Sequence, residues 1–293
     1  MLDFSLHPVH PFLQRFVSTY CIMHLYQDEA LSTLFTGKTD SVLLFNIGRS
    51  SNNISITFSL PNNPKKTFTF YSHESYLGGL LNQPLSSLTT GNTRILCVVF
   101  TPFGVHNLIQ ENTASILNDG FSMETLGLHK PLEYLIDKLQ QVNNNHEALA
   151  LVQNHFLHYF SHLDIPFSVK DMSPVVNYIS QRNGVVKVKQ LEEKFRVSRR
   201  WLEKQFSVQV GLSPKEFARI KRFTALLGQA TMPNPASKQS NRAVSWATFL
   251  EDFGYYDQSH LIRDFKEFTG QTPAQYIKTT PYGLNNAFLK TLE

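Results

Sequence analysis

Cysteine is almost absent from this sequence. The 293 residues hold two, Cys21 and Cys97, with no CxxC pair and no ligand cluster beside either, which argues against a disulfide scaffold or a zinc ribbon. Cys97 lies inside the apolar run ILCVVF, and both residues read as buried free thiols. Charge is also sparse, at 17% Asp, Glu, Lys and Arg; with 42% hydrophobic residues and 23 Phe to bury, a disordered chain is excluded. No apolar run approaches the roughly 18 residues of a membrane span. The start, MLDFSLHPVHPFLQRF, lacks a basic region followed by an apolar stretch and a small-residue cleavage site, so a cytoplasmic protein without a membrane partner is expected. GxSxG, the P-loop, GxGxxG and HExxH are missing as well. No catalytic residue is assigned, no enzyme is expected, and isolated acids such as Asp40 and Glu74 read as surface residues.

What is present is divided between two halves. A chain of 293 residues has room for two domains. Residues 1–170 hold 9 Lys and Arg against 12 Asp and Glu, whereas residues 171–293 hold 18 against 11. The basic charge is all C-terminal, which is the electrostatic footprint of a nucleic-acid-binding domain.

From Ser41 to Phe100 the runs SVLLFNI, ISITFSL, TFTFY and RILCVVF are rich in β-branched and aromatic residues and alternate with turn-formers such as GRSSNN, PNNPKK and TTGN. They predict an antiparallel sheet. Residues 103–118 and 131–162 change to helical spacing, with Leu132, Leu135, Ile136 and Leu139, then Leu149, Val152, Phe156, Tyr159 and Phe160. The expected class is α+β: a β-rich domain closed by helices at 1–165, a linker at 166–173, an all-α domain at 174–280 and a tail at 281–293. MPNPASKQSNR, Met232 to Arg242, reads as a loop within the all-α part.

Two similar units stand out in the C-terminal half. In VKQLEEKFRVSRRWLEKQF, Leu191 and Phe195 share one helix face and Leu202 and Phe206 the face of a second. Arg196 and Val197 make the corner between them, and Ser198 is suited to cap the second helix. In WATFLEDFGYYDQSHLIRDFKEF, Phe249, Leu250 and Phe253 give the first face, Gly254 the turn, Tyr255 the plug and Asp257 the cap. Leu261, Phe265 and Phe268 then point inward. SPKEFARIKRFTALLGQA, Ser213 to Ala230, is the helix that would tie the units together, so that two reading helices about 34 Å apart could enter successive major grooves. Arg199, Arg200, Glu203 and Lys204 face outward in the first unit, and Gln258, Ser259, Ile262, Arg263 and Lys266 in the second.

GYYDQSHLIRDFKEFTGQTPAQY, Gly254 to Tyr276, closely resembles the C-terminal signature of the AraC/XylS family of transcriptional regulators, and the likeness extends over roughly Val175 to Lys278. The resemblance implies two helix-turn-helix units joined by a connecting helix. It implies base contacts from Arg200, Glu203 and Lys204 and from Gln258, Ser259, Ile262 and Arg263, and groove chemistry agrees, pairing Arg with guanine, Gln with adenine and Glu with cytosine. Lys187, Lys215, Lys221 and Arg222 are expected at phosphates or solvent. Glu192 and Leu250 stand where the family has a small Ala, Arg196 where it has a turn Gly, Ile277 where an Arg commonly follows the final Tyr, and the link at 231–244 is roughly a dozen residues longer. The N-terminal stretch RILCVVFTPFGVHNLI is weakly similar to uncharacterised sensor domains of AraC-type regulators. The partners implied are double-stranded promoter DNA, a small-molecule effector, RNA polymerase and a second copy of the chain. A metal-binding sensor or enzyme with an accessory basic domain is the alternative, through His155, His158 and His162 or His7 and His10. Seven residues of straight helix span about 10 Å, too far for three ligands on one tetrahedral ion, so neither metal nor cofactor is assigned.

Overall fold

The computed structural model describes residues 2–25, 31–35, 37–48, 54–60, 63–70, 74–89, 93–122, 129–164, 171–231 and 250–279. Residues 166–170 of the expected linker, the insertion beyond Thr231, Trp246, Phe249 and the tail at 281–293 lie outside the described residues.

The architecture is α+β. In chain order the strands are β1 (Leu2–His7), β2 (Val17–Leu25), β3 (Leu31–Phe35), β4 (Ser41–Asn46), β5 (Ile54–Leu60), β6 (Asn63–Phe70), β7 (Ser75–Gly78), β8 (Leu85–Thr89), β9 (Thr93–Phe100) and β10 (Gly120–Ser122). They form a six-stranded sheet in the order β1-β2-β9-β4-β7-β10 and a four-stranded sheet in the order β3-β8-β5-β6. All pairings between these strands are antiparallel. The four apolar runs emerge as β4, β5, β6 and β9, because branched and aromatic side chains suit a pleated, half-buried surface. The remaining strands carry weaker patterns and are held by their neighbours: β7 and β10 have only four and three residues.

Strands β2 and β9 are buried on both faces. On one face Tyr20, Ile22, Leu96, Val98 and Phe100 join Leu43 and Phe45 of β4. They pack against the helices α1 (Pro102–Ile109), α2 (His129–Gln141) and α3 (Asn145–Ser161). Leu132, Leu135, Leu139, Val152, Phe156 and Phe160 fill this core as their spacing predicts, and Phe160 stacks on Phe16 with centroids 4.1 Å apart. The helix expected over 103–118 is split. Gln110 turns left-handed at φ 54° and ends α1, and Asn112 then caps a short 3-10 turn, Thr113–Ile116, by accepting from the Ala114 N–H.

The opposite face of β2 and β9 carries the two cysteines, buried free thiols as the sequence indicates. Cys21 is the direct cross-strand partner of Cys97.

After Ser122 the described chain is helical: α2 and α3 are followed by α4 (Ser173–Ser180), α5 (Val188–Phe195), α6 (Arg199–Val210), α7 (Pro214–Thr231), α8 (Gln258–Thr269) and α9 (Pro273–Thr279). Ser213 caps α7 reciprocally, its hydroxyl oxygen accepting from the Glu216 N–H while the Glu216 carboxylate accepts from the Ser213 N–H. Phe217, Ile220, Phe223 and Leu227 of α7 are the spine of a second core, with Leu202 and Phe206 on one side and Leu261, Phe265 and Phe268 on the other. Phe223 has no exposed surface and meets Phe265 edge-on at 4.9 Å; burial of one such ring stabilises by about 2 to 3 kcal/mol.

The two cores touch. Leu80, in the segment after β7, is buried in the C-terminal core, and the Thr113 hydroxyl donates to the Gln209 carbonyl of α6 at 3.2 Å. Lys221 Nζ of α7 lies 3.7 Å from Asp40 Oδ2, with both side chains largely buried. Asp40 is therefore a junction residue rather than a surface acid, and the Lys221 amine is engaged inside the fold rather than at solvent.

Candidate nucleic-acid interface

The first unit consists of α5 and α6. Leu191, Leu202, Phe206 and Val210 anchor it, and Ser198 caps α6 by accepting from the Trp201 N–H at 3.3 Å. Arg196 closes α5 at φ 52°, a left-handed conformation that costs a residue with Cβ about 1 to 2 kcal/mol. Gly254 makes the equivalent turn of the second unit at φ 62° without that cost. Glu192, at the expected small position, is partly buried, and its carbonyl accepts from the Val197 N–H at 3.2 Å. Arg199, Arg200, Glu203 and Lys204 are all exposed along one edge of α6. Within that edge Arg199 Nε donates to Glu203 Oε1 at 2.9 Å, and this hydrogen bond is the main reason the guanidinium pKa is raised.

The second unit ends its first helix at 250–252. The Tyr255 N–H donates to the Leu250 carbonyl at 2.8 Å, and Asp257 Oδ1 accepts from the His260 N–H at 2.7 Å to start α8. Phe253 and Tyr255 are buried, as are Leu261, Phe265 and Phe268. Gln258, Ser259, Ile262, Arg263 and Lys266 are exposed on the other side of α8, so the five expected residues share one solvent-facing stripe. Tyr256 joins them: it is 93% exposed directly before the Asp257 cap, in a position the sequence reading left without a role. His260 packs edge-on against Tyr255 at 5.1 Å, within the fold rather than on the stripe.

Beneath α8 lies a cluster that pattern reading missed. Asp264 is completely buried. Arg219 Nε of α7 donates to its Oδ1 at 2.8 Å, and Tyr255 OH donates to its Oδ2 at 3.0 Å. Arg222 Nη2 approaches Oδ2 at 3.4 Å, and its guanidinium covers the Tyr255 ring 4.3 Å from the centroid. Arg219 extends the cluster to Glu267 through both terminal nitrogens. Burial first, then the Asp264 charge, pushes the Tyr255 phenol well above the ordinary tyrosine range, so it stays a donor. Arg222 is therefore held inside the fold against Asp264 of α8, with its side chain only 16% exposed. Lys187 and Lys215 are exposed as expected. The one available signal was Asp264 itself, a charge on the inward stripe between Leu261 and Phe268.

Of the histidines proposed as metal ligands, His158 and His162 lie against each other with ring centroids 4.3 Å apart, and the others have partners of their own. His7 shares a 2.8 Å hydrogen bond with Ser5, His10 Nδ1 accepts from the Phe12 N–H, and His155 sits against Phe156 with its pKa lowered first by burial and then by the His158 charge. Among the described residues no three His, Cys, Asp or Glu side chains converge. No helix there is long and apolar enough to cross a membrane.

Residues 240–278 match the family of bacterial regulatory helix-turn-helix proteins of AraC type. This segment is an AraC-family helix-turn-helix. It contains the second unit from its described start at Leu250 through α8 and most of α9, so the stripe from Gln258 to Lys266 belongs to the AraC-type unit. No curated protein sequence matches the chain significantly. Among solved structures, ToxT from Vibrio cholerae O395 aligns with 13% identity over 88% of this chain and 95% of its own, with a TM-score of 0.44. Unsaturated fatty acid bound wild-type ToxT from V. cholerae strain SCE256 aligns with 11% identity over 87% and 93%, with a TM-score of 0.44.

Proposed function

We propose that the protein is a sequence-specific DNA-binding transcription regulator that inserts α6 and α8 into successive major grooves of promoter DNA. The observation that carries this reading is the pair of capped helices with exposed polar and basic stripes, both fastened to α7 by a common core, α6 at Phe217 and α8 at Arg219 and Phe223. Arg200, Glu203 and Lys204 read one half-site and Gln258, Ser259, Ile262 and Arg263 the other, with Arg199 and Lys266 at their margins. The exposed Arg199–Glu203 pair is screened by solvent and weak, so bases can displace it without large loss.

In this reading residues 1–165 are an effector-binding or dimerisation domain, 166–173 the linker, 174–280 the DNA-binding domain and 281–293 a tail. A ligand or partner on the first modulates the last, and RNA polymerase is the partner downstream. The support for such modulation is contact: Asp40 meets Lys221, and Leu80 enters the C-terminal core, so a shift in the strand-rich half reaches the connecting helix directly. Selection of purified protein on a randomised DNA library tests the function. A bipartite site with centres about one helical turn apart, bound more weakly as salt rises, is the expected result; sequence-blind or salt-insensitive binding overturns it.

A further inference from the structure

We propose that Cys21 and Cys97 are a dithiol site that peroxides oxidise to an intramolecular disulfide. The residues are direct partners across the antiparallel pair β2 and β9. Side chains of directly opposed residues leave the sheet on the same face, and their Cα atoms lie about 4.5 to 5.5 Å apart, inside the range of about 4.4 to 6.8 Å that a disulfide spans. The register therefore sets the two thiols within reach of each other. Buried Met23 and Ile95, the next pair but one along the same strands, flank the thiols on that face.

The third member is Lys38, just ahead of β4. Its amine interacts electrostatically with both sulfurs and with Asp40, and burial pushes it down to about 8 although all three neighbours favour its charge. The thiols differ accordingly. Cys21 lies below the ordinary thiol range, first through the hydrogen bond from Cys97 and then through Lys38, with burial opposing. The same hydrogen bond and burial push Cys97 up. Cys21 is the attacking sulfur and Cys97 the resolving one.

The reaction balances with hydrogen peroxide as the oxidant. The Cys21 thiolate attacks one peroxide oxygen, the O–O bond breaks, and the departing hydroxide takes the proton lost by Cys21 to leave as water. The Cys97 sulfur then displaces the hydroxyl of the Cys21 sulfenic acid, the S–S bond forms, and a second water carries off that hydroxyl with the Cys97 proton. Two thiols are oxidised and one peroxide is reduced to two waters.

The full chain is treated with one equivalent of hydrogen peroxide under native conditions, alkylated, and analysed by intact mass and peptide mapping. The expected product is a monomer lighter by two hydrogens, unalkylated, with Cys21 and Cys97 peptides linked and reductant restoring both thiols. Cys97→Ala should accumulate a dimedone-reactive sulfenic acid at Cys21, Cys21→Ala should leave Cys97 unoxidised, and Lys38→Met should slow the wild-type reaction several-fold. Two alkylatable thiols after treatment, an intermolecular disulfide, or oxidation that begins at Cys97 would each overturn the proposal; the wild-type measurement stands by itself if a variant does not fold.

Discussion

Asp264→Ala removes the one buried carboxylate that ties α7, Tyr255 and α8 together. Arg222, with only 16% of its side chain exposed, loses its ion-pair partner, and the Tyr255 hydroxyl loses its acceptor. Breaking a buried ion pair from one side costs about 3 to 5 kcal/mol. Arg219 keeps Glu267 and is about a quarter exposed, which places the expected loss near the lower end, about 3 kcal/mol. With a urea slope of about 2 kcal/mol/M, the unfolding midpoint of the C-terminal half should fall by about 1.5 M. Tyr255→Phe, which deletes only one hydrogen bond, should cost about 1 kcal/mol. Asp264→Leu combined with Arg222→Leu should recover at least half of the loss, because an apolar replacement of the whole pair leaves no buried charge uncompensated. The assay is urea unfolding followed by tryptophan fluorescence and circular dichroism, with DNA binding as a second readout. If Asp264→Ala costs less than 1 kcal/mol, or the double variant is worse than the single, the cluster is not what fixes α8 on α7.

Arg263→Ala, on the exposed stripe of α8, should cost on the order of 1 to 3 kcal/mol of binding at one base position of the selected site and relax specificity there, measured by competition across single-base variants. Lys221→Ala should leave the slope of log affinity against log salt unchanged, since its amine is engaged with Asp40; a slope shallower by about one would return it to a phosphate. The depressed pKa of His155 predicts a pH effect of definite sign. The unfolded chain takes up the proton more readily than the folded one, so stability is intact above about pH 6.5 and falls as pH drops below it, and His155→Leu should flatten part of that fall in unfolding measured from pH 7.5 to 5.5.

Legibility in the sequence followed the range of the interactions. Helix-turn-helix geometry is local: Ser198 and Asp257 cap within three residues, Gly254 turns the chain by itself, and the inward spacing of Leu261, Phe265 and Phe268 is one helix period. The outward stripe follows by subtraction, which is why the nine expected contact residues emerge exposed on two edges. The apolar strands β4, β5 and β9 were legible for the same reason.

Tertiary contact decided the rest. Lys221 and Arg222 look like any basic residues on an amphipathic helix, and only the arrival of Asp40 and Asp264, more than 40 residues away, shows that their charges are used inside the protein. Cys21 and Cys97 are 76 positions apart, so nothing local could say that antiparallel register sets them face to face. The sequence by itself determined the two exposed polar edges of α6 and α8, because a helix exposes whatever its apolar face does not bury. The structure decided which charges support those edges and which two thiols meet, because pairing across a fold depends on the register and docking of segments that are remote in the chain.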